Sequence, residues 1–506
     1  MKKIYTIATL AVLALGSCTK LDIDVESQYT DKNFPTTEDA FLAASGTIYP
    51  KFTRNYGVSV FWTQELATDE AIIPARNVGY YDNGQYMFMH KHSWTVDHPF
   101  IKSTWEWGYA GISDCNRVLN LLEKSQDGPI KTAYLSEVRT MRALFYFYMM
   151  DMYGNVPIII FGNPEQPLQS KRADVFKYIE KELLETAETL PAPPTVILAN
   201  YGHPTKWMAY ALLQKMYLNA EQYTGTAMYA NAVTYGDKIM TESKLTLMPN
   251  YNDLFSPTNT ANSETIFAAT YDANYSDGNA MTRYSLHSAL RAKYNLPFSP
   301  SNAMCTIAEF YNTFNLKDDV RNATWLAGPQ TLADGKTPVK VGDFQLNFTP
   351  EIVLTNVATM DVGAEVGGIS RGVRSVKYAP DPNTNASTRF QNNDMPVLRL
   401  ADVYLMQAEA ILRNGGNAAT ALDLFNRVRL RAKAQPLTAV TLEDIFVERG
   451  RELAWEGWRR NDLIRYGKYE NAWQFKVGNE GAFRRIFPIP ATEIVLNPKL
   501  VQNPGY

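Results

Sequence analysis

The chain has 506 residues, of which 45% are hydrophobic and 20% are charged, with a formal net charge of -3. These proportions are typical of a folded globular protein, and the pI of about 6.1 lacks the basic excess that a nucleic-acid-binding surface needs. The composition therefore indicates a folded body and argues against a nucleic-acid partner. No Gly/Ser linker divides the chain, so one large domain and two fused halves are both open.

The first eighteen residues have the pattern of a bacterial lipoprotein signal. Two lysines precede an apolar run over residues 4–15, which is shorter than the roughly twenty residues of a membrane-spanning helix. The run closes on Leu-Gly-Ser-Cys, the form of a lipobox. We therefore predict a signal peptide over 1–17, lipid attachment at Cys18, and a tether over 18–35. An ordinary signal peptide with an incidental cysteine is the alternative.

Two further cysteines, Cys115 and Cys305, remain in the body of the chain. A single disulfide between them is compatible with an oxidising compartment. Cys115 lies in a segment with helical character, and nothing in its neighbourhood favours pairing. We predict two buried free thiols.

Three pairs of amphipathic segments predict helix–turn–helix units. Apolar residues recur at helical spacing in each segment. The paired segments are 138–152 with 176–190, 209–220 with 229–240, and 400–411 with 421–432. The third pair occupies about 34 residues, the length of one tetratricopeptide unit, and small residues such as Gly236 and Ala408 permit close helix packing. We predict a tetratricopeptide-like stack; an undifferentiated helical bundle is the alternative.

Two long portions, from about residue 58 to 99 and from about 249 to 395, show little sustained helical period. They are rich in Asn, Gly, Asp, Pro and aromatic residues. Long irregular segments on a rigid scaffold commonly carry binding groups, so we expect the ligand here. Residues 264–268 and 351–354 are predicted as short strands.

Aromatic residues beside polar ones in these loops predict a glycan platform. A sugar presents an apolar C–H face that packs on an aromatic ring, while its hydroxyl groups seek planar polar partners. Buried core is the alternative for any single aromatic residue. The predicted glycan-binding residues are Arg76, Tyr80, Tyr81, Asp82, Asn83, Trp94, Tyr275 and Tyr284.

A dense set of charged residues near the C-terminus is interpreted as structural rather than catalytic. Alternating signs on a helix favour paired, partly solvated faces. Residues 441–444 predict a capping box that opens this helix. Arg139 and Arg142 are expected to pair with acids across the helix stack. The charged set is Glu448, Arg449, Arg451, Glu452, Arg459, Arg460 and Asp462.

The sequence predicts no metal site, cofactor or catalytic residue. His90 and His92, with His98 further on, form the one metal-like constellation, but no HExxH or CxxC motif accompanies it. A nucleophile elbow, a Walker loop and a dinucleotide glycine fingerprint are absent from the sequence. A surface hydrolase is kept as a weaker alternative.

Several separated motifs resemble one known family. They span nearly the whole chain after the signal peptide. They are TTEDAF at 36–41, EVRTMRAL at 137–144, YGNVP at 153–157, LRLADVYL at 398–405, ERGRELA at 448–454, RRNDLIRYG at 459–467 and FPIP at 487–490. With these motifs the chain resembles the SusD/RagB-family nutrient-binding lipoproteins of the Bacteroidetes outer membrane.

The resemblance implies a mainly α, SusD-like fold, in which tetratricopeptide-like helix pairs support a large loop-rich portion and a few short β-strands. It implies a single domain over 36–506, divided into an N-terminal part (36–248), a ligand-side insert (249–395) and a C-terminal part (396–506).

The resemblance also implies a function. The chain is expected to be a lipid-anchored outer-membrane protein that faces the cell exterior, captures oligosaccharide, and passes it to a SusC-like TonB-dependent transporter without catalysis. A peptide or another nutrient in place of the glycan, and a pure protein-interaction scaffold, are the alternatives.

Overall fold

A computed structural model describes residues 37–77, 79–162, 165–275, 278–479 and 481–506. Cys18, the predicted signal peptide and the predicted tether lie outside the described residues. Among the described helices, none combines the length and the apolar character that crossing a membrane requires.

Helices dominate both ends of the described chain. They are α1 (Glu38–Ser45), α2 (Ile48–Asn55), α3 (Phe61–Glu65), α4 (Gln85–His90), α5 (Pro99–Glu123), α6 (Pro129–Tyr153), α7 (Arg172–Thr186), α8 (Lys206–Leu218), α9 (Ala220–Thr224), α10 (Tyr229–Glu242), α11 (Met281–Ser285), α12 (Ala308–Tyr311), α13 (Val366–Ile369), α14 (Leu400–Arg413), α15 (Ala418–Arg431), α16 (Leu442–Leu453), α17 (Arg459–Arg465) and α18 (Ala491–Leu496). A π-helical turn, Tyr56–Val60, joins α2 to α3.

The strands are short and pair antiparallel in twos. The pairs are β1 (Val156–Pro157) with β2 (Gln169–Ser170), β3 (Thr265–Ala269) with β10 (Met395–Arg399), β4 (Trp325–Leu326) with β9 (Arg374–Ser375), β5 (Gly328–Pro329) with β8 (Asn347–Phe348), and β6 (Lys340–Val341) with β7 (Phe344–Gln345).

The long helices form one continuous stack. α5 packs on α6, α6 on α7, α7 on α8, α8 on α10, α10 on α14, and α14 on α15. The three predicted helix pairs are therefore confirmed as α6 with α7, α8 with α10, and α14 with α15. The stack continues directly from α10 to α14, although the whole 249–395 portion separates them in sequence.

Gly236 on α10 marks a point where three helices meet closely. A Cβ atom at this position would lie 2.0 Å from Gln407 Oε1 and 2.3 Å from Gln214 Nε2. Gln214 Nε2 donates to Gln407 Oε1 at 3.1 Å and to the Val403 carbonyl at 3.3 Å, which ties α8 to α14. The prediction that a small residue permits close packing here is confirmed.

The charged residues of α16 and α17 form buried ion-pair networks, so their predicted structural role is confirmed. Glu452 pairs with Arg399 at 2.6 Å and Arg321 at 3.0 Å, and Arg449 bridges Asp402 and Asp462. Burial acts to raise the pKa of Glu452, but the surrounding guanidinium groups outweigh it and lower the pKa to about 2. The expected partial solvation is wrong for Glu448, Arg449, Glu452, Arg459, Arg460 and Asp462, which are buried, and holds only for Arg451, which is partly exposed.

The predicted pairing of α6 charges across the stack is also confirmed. Arg139 and Arg142 both bind Glu182 on α7, at 2.7 and 2.6 Å. The capping box of α16 is present as predicted, because the side chain of Thr441 accepts from the Asp444 N–H and the Asp444 carboxylate accepts from the Thr441 N–H.

A pair of strands joins the two ends of the 249–395 portion. β3 pairs with β10 so that Ala269 faces Met395 and Thr265 faces Arg399, which confirms the predicted strand near 264–268. The strand predicted over 351–354 is wrong. The carbonyls of Ile352 and Val353 accept hydrogen bonds from the side chains of Gln474 and Arg371, so side chains take the place of a neighbouring strand.

The two cysteines of the body are buried and free, as predicted. Cys115 lies inside α5, where burial raises the pKa of its thiol. Cys305 lies beneath the loop region and accepts from Arg76 Nη2 at 3.4 Å.

Candidate functional site

The backbone between α3 and α4 carries an unusual turn. Asn77, Tyr80, Asp82 and Asn83 have φ angles of 53°, 63°, 41° and 56°. Positive φ is uncommon for residues other than glycine and costs on the order of 1–3 kcal/mol at each such position. Asn and Asp tolerate it best, so Tyr80 bears the clearest strain. Strained backbone of this kind concentrates at functional sites.

Interior hydrogen bonds hold this turn in place. The Asn77 N–H donates to Asp361 Oδ1 at 3.0 Å. Beneath the turn, the Arg76 guanidinium donates from Nη1 to the Ile369 carbonyl at 2.7 Å and from Nη2 to the Arg371 carbonyl at 3.2 Å. Desolvation lowers the pKa of Arg76. Arg76 is only 7% exposed, so it supports the turn from below and is not the surface sugar contact that the sequence predicted.

Aromatic rings join this turn to α11, about two hundred residues later. The Tyr80 ring lies 6.1 Å from Tyr86, Tyr86 lies 5.7 Å from Trp62, and Trp62 lies 4.8 Å from Tyr284, measured between centroids. Trp62 and Tyr86 are buried, whereas Tyr80 and Tyr284 are half-buried. The two buried rings therefore form a floor that fixes two partly exposed tyrosines.

Polar groups from two other segments, and from α11 itself, surround these tyrosines. Tyr80 Oη donates to the Ser301 carbonyl at 3.0 Å, and Arg389 Nη1 donates to Ser301 Oγ at 3.3 Å. Arg283 Cζ lies 4.9 Å from the centroid of the Tyr284 ring. Arg283 Nε is a buried donor for which the described residues provide no acceptor, and such donors commonly serve a ligand or water.

We call this surface the Tyr80–Tyr284 patch. It combines partly exposed aromatic rings, guanidinium donors and acidic or amide acceptors on a rigid floor, which suits a polyhydroxylated ligand with an apolar C–H face. Its members are Tyr80, Tyr81, Asp82, Asn83, Arg283, Tyr284, Ser301 and Arg389.

The structure separates the other two predicted contacts from this patch. Trp94 is 1% exposed, its Nε1 donates to Tyr506 Oη at 2.9 Å, and its ring packs 5.0 Å from Phe487. The prediction that Trp94 lies on an exposed platform is therefore wrong, because its side chain lies in the core. Tyr275 is 91% exposed but lines a different depression, beside α2. The other predicted glycan contacts stay predictions; they are Tyr80, Tyr81, Asp82, Asn83 and Tyr284.

Sequence reasoning missed Trp62, Arg283, Ser301 and Arg389. Arg283 directly precedes the predicted Tyr284, and that adjacency was an available signal. Ser301 and Arg389 reach the patch only through tertiary folding, and their local sequence is that of an ordinary polar loop.

The three histidines hold separate backbone segments together. The Nε2 atoms of His90, His92 and His98 lie 2.7, 3.0 and 2.9 Å from the carbonyls of Gln474, Ala67 and Gln85. Burial lowers the pKa of His90 and His98 to about 4, so both rings are neutral at pH 7. Each imidazole therefore has a structural hydrogen-bonding role.

A cleft of about 800 Å³ lies elsewhere, between α5, α6 and α7. Its floor is formed by Arg139 and Arg142, which pair with Glu182, and by Glu185. These charges compensate one another across the helix stack. We therefore favour the Tyr80–Tyr284 patch as the ligand site.

Two family profiles match the chain. The SusD family profile matches residues 263–506. A second profile, described as starch-binding and associating with the outer membrane, matches residues 49–218. The chain belongs to the SusD family. The two matches include every helix of the stack except α10, and the second profile's description assigns outer-membrane association.

Individual relatives are similar to this chain over most of their length. A SusD-like protein of Bacteroides ovatus is 27% identical over 493 residues, with 92% of this chain and 83% of that protein covered. The starch-binding protein SusD of Bacteroides thetaiotaomicron is 26% identical, with 88% and 85% covered. The solved structure of a laminarin-binding SusD-like protein superimposes with a TM-score of 0.74 at 25% identity, with 94% and 100% covered. The predicted mainly α, SusD-like fold is confirmed.

Proposed function

We propose that this protein is a cell-surface glycan-binding lipoprotein of the outer membrane. It captures oligosaccharide at the Tyr80–Tyr284 patch and delivers it, without catalysis, to a SusC-like TonB-dependent transporter. The lipid on Cys18 anchors the protein so that its body faces the cell exterior. The observation that carries the proposal is the pair of half-exposed tyrosines, fixed on a buried aromatic floor and bordered by Arg283 and Arg389.

The relatives indicate which sugars to try first. Two of them are described as binding starch and laminarin, and both polymers are neutral glucans. The patch is compatible with such ligands, since its charges are of both signs and its rings offer stacking faces. Glucans of both linkages are therefore the first probes for this chain.

Affinity electrophoresis of the purified protein against a polysaccharide panel tests the proposal. We expect retardation by a glucan or another neutral polysaccharide. The double variant Tyr80→Ala/Tyr284→Ala is expected to lose it, because both stacking faces are removed. Phe344→Ala is the matched control, since Phe344 is an exposed aromatic residue outside the patch. Wild-type protein that no polysaccharide retards, or a double variant retarded as strongly as the wild type, would contradict the proposal.

The anchor and the partner need their own test. Cys18→Ala is expected to abolish incorporation of labelled fatty acid and to release the protein from the outer-membrane fraction. Co-purification from membranes of the native host should recover a TonB-dependent barrel with the wild-type protein. Unchanged lipid labelling of the variant, or recovery of the wild type without such a barrel, would contradict these two parts of the proposal separately.

A further inference from the structure

A groove runs along α2, apart from the Tyr80–Tyr284 patch. It consists of two adjoining depressions of about 240 and 320 Å³ that share Pro50 and Thr53 of α2. We call it the α2 groove. The residues that line it are Tyr49, Pro50, Thr53, Arg54, Thr260, Thr270, Tyr271, Asp272, Ala273, Asn274, Tyr275, Thr388 and Asp394.

The wall opposite α2 is built rigidly. Tyr271 Oη donates to the Thr53 carbonyl at 3.0 Å, and a Cβ atom on Gly57 would lie only 2.8 Å from this hydroxyl. Glycine at position 57 therefore allows the wall to approach the helix. Asp394, which is buried, accepts from the Tyr271 N–H at 2.7 Å and from Thr260 Oγ1 at 2.9 Å.

At the end of this wall a turn presents a solvated tyrosine ring. The Asn274 N–H donates to Asp272 Oδ1 at 2.9 Å, and the Tyr275 N–H donates to the Asp272 carbonyl at 3.1 Å. The ring of Tyr275 is 91% exposed, the highest value among the large apolar and aromatic residues that the structure describes. A ring this exposed is available to stack on a ligand in the adjoining groove.

A single loop connects the α2 groove to the Tyr80–Tyr284 patch. Thr388 lines the groove, and the next residue, Arg389, donates to Ser301 in the patch. Consecutive Cα atoms lie about 3.8 Å apart. One loop therefore contacts both the groove and the patch.

The groove chemistry selects the same ligand class as the patch. Threonine hydroxyls, an arginine and an exposed tyrosine suit sugar hydroxyls and C–H faces. An anionic sugar is disfavoured, because it would face Asp272 and Asp394. We propose that the α2 groove is a second sugar subsite, which binds the far end of a longer neutral oligosaccharide whose near end lies on the Tyr80–Tyr284 patch. This inference rests on the proposed function.

Titration calorimetry with size-defined ligands tests it. The probes are malto-oligosaccharide and laminari-oligosaccharide ladders, from the disaccharide to the octasaccharide. Wild-type affinity should rise with length in a second step once a ligand spans both sites. Tyr275→Ala should weaken binding of the octasaccharide about tenfold and leave the shortest bound member unchanged. Tyr275→Phe keeps the stacking face and should restore the second step.

Tyr284→Ala separates the two proposals, since it should weaken short and long ligands alike. An octasaccharide affinity that Tyr275→Ala leaves unchanged, or a loss equal at every length, would overturn the second subsite while wild-type binding stands. If the wild-type protein binds no member of either ladder, both the glucan proposal and the second subsite are overturned. Unfolding temperatures of the two Tyr275 variants should match the wild type, because the Tyr275 ring packs against little protein.

Discussion

The helix stack and the loop-rich 249–395 portion are held together by different means. In the stack, long helices bury apolar stripes against one another and Gly236 permits close packing. In the loop-rich portion, side chains bind backbone carbonyls directly. Asn393 Nδ2 donates to the carbonyls of Phe255 and Ala379, and Asn259 Nδ2 donates to those of Leu254 and Asp394.

This difference explains where the ligand site lies. A helix stack is rigid and repetitive, whereas loops tied down by individual side chains can present irregular surfaces without losing order. The two regions meet at the buried ion network, where Arg321 of the loop-rich portion reaches Glu448 and Glu452 of α16. We infer that this network fixes the loops on the scaffold.

The largest effect is expected from breaking that junction. Arg321→Met leaves Glu448 and Glu452 buried with less compensation, which should lower the free energy of unfolding by about 3–5 kcal/mol. Arg427→Met is the control, because Arg427 pairs with Asp423 on the exposed face of α15 and should cost below about 1 kcal/mol. Urea-induced unfolding measures both. Equal urea midpoints for the two variants would contradict the inference that the ion network fixes the loops on the scaffold.

A second test uses pH where α3 and the residues after it contact the turn between α16 and α17. Glu65 Oε1 accepts from the Gly457 N–H at 2.5 Å, and Glu70 Oε2 accepts from the Trp455 N–H at 2.9 Å. Desolvation raises the pKa of Glu65 to about 7 and that of Glu70 well above its usual range. Since an unfolded glutamate titrates near about 4.3, the stability that Glu65 contributes is complete below that pH. It is lost as the pH rises through about 7.

Glu65→Gln should therefore be more stable than the wild type at pH 8, by on the order of 2 kcal/mol, and show a flatter pH dependence between pH 5 and 8. The amide keeps an acceptor for the Gly457 N–H. Glu106→Gln, on the exposed face of α5, is the control. Parallel pH profiles of the wild type and Glu65→Gln in thermal unfolding would count against the raised pKa of Glu65.

Trp94 provides a smaller test of which aromatic residues belong to the core. Trp94→Phe loses the hydrogen bond to Tyr506 and part of the ring volume, which should cost about 1–2 kcal/mol in urea unfolding. Retardation by polysaccharide should stay at the wild-type level, because the ring is buried. Loss of retardation by polysaccharide, with an unchanged free energy of unfolding, would show instead that Trp94 contacts the ligand.

The smallest stability effect is expected at the rim of the patch. Arg389→Met removes the donor to Ser301 Oγ and should change the free energy of unfolding by less than about 0.5 kcal/mol. Glycan affinity should nevertheless fall severalfold, as the guanidinium borders the sugar. Lys336→Met, on an exposed loop of the same portion, is the comparison. Equal glycan affinity of the two variants would exclude Arg389 from the site.

The helical part of the fold follows from local patterns in the sequence. The spacing of apolar residues located α14 and α15, and Thr441 with Asp444 marked the start of α16. Residues 351–354 show the limit of such patterns, since an apolar run with strand character is held by side-chain donors instead. That outcome depends on Arg371 and Gln474, which no local rule connects to the run.

The site residues also divide into those that local sequence patterns predict and those that only tertiary contacts bring together. Tyr80 and Tyr284 were predictable because each lies in a local aromatic and polar cluster. Trp94 has the same local signal but is buried, because Phe487 and Tyr506 pack on it from the end of the chain. Ser301 and Arg389 join the patch through contacts over 221 and 88 positions in sequence, and periodicity carries no information at that range.

The central claim is that the Tyr80–Tyr284 patch binds sugar. A crystal structure of the protein with an oligosaccharide of the best-retained polysaccharide tests it most directly. We predict a sugar ring stacked on Tyr284 or Tyr80, with its hydroxyls within hydrogen-bonding distance of Arg283 or Arg389. An oligosaccharide bound instead in the cleft between α5, α6 and α7, with the patch free of sugar, would contradict the claim.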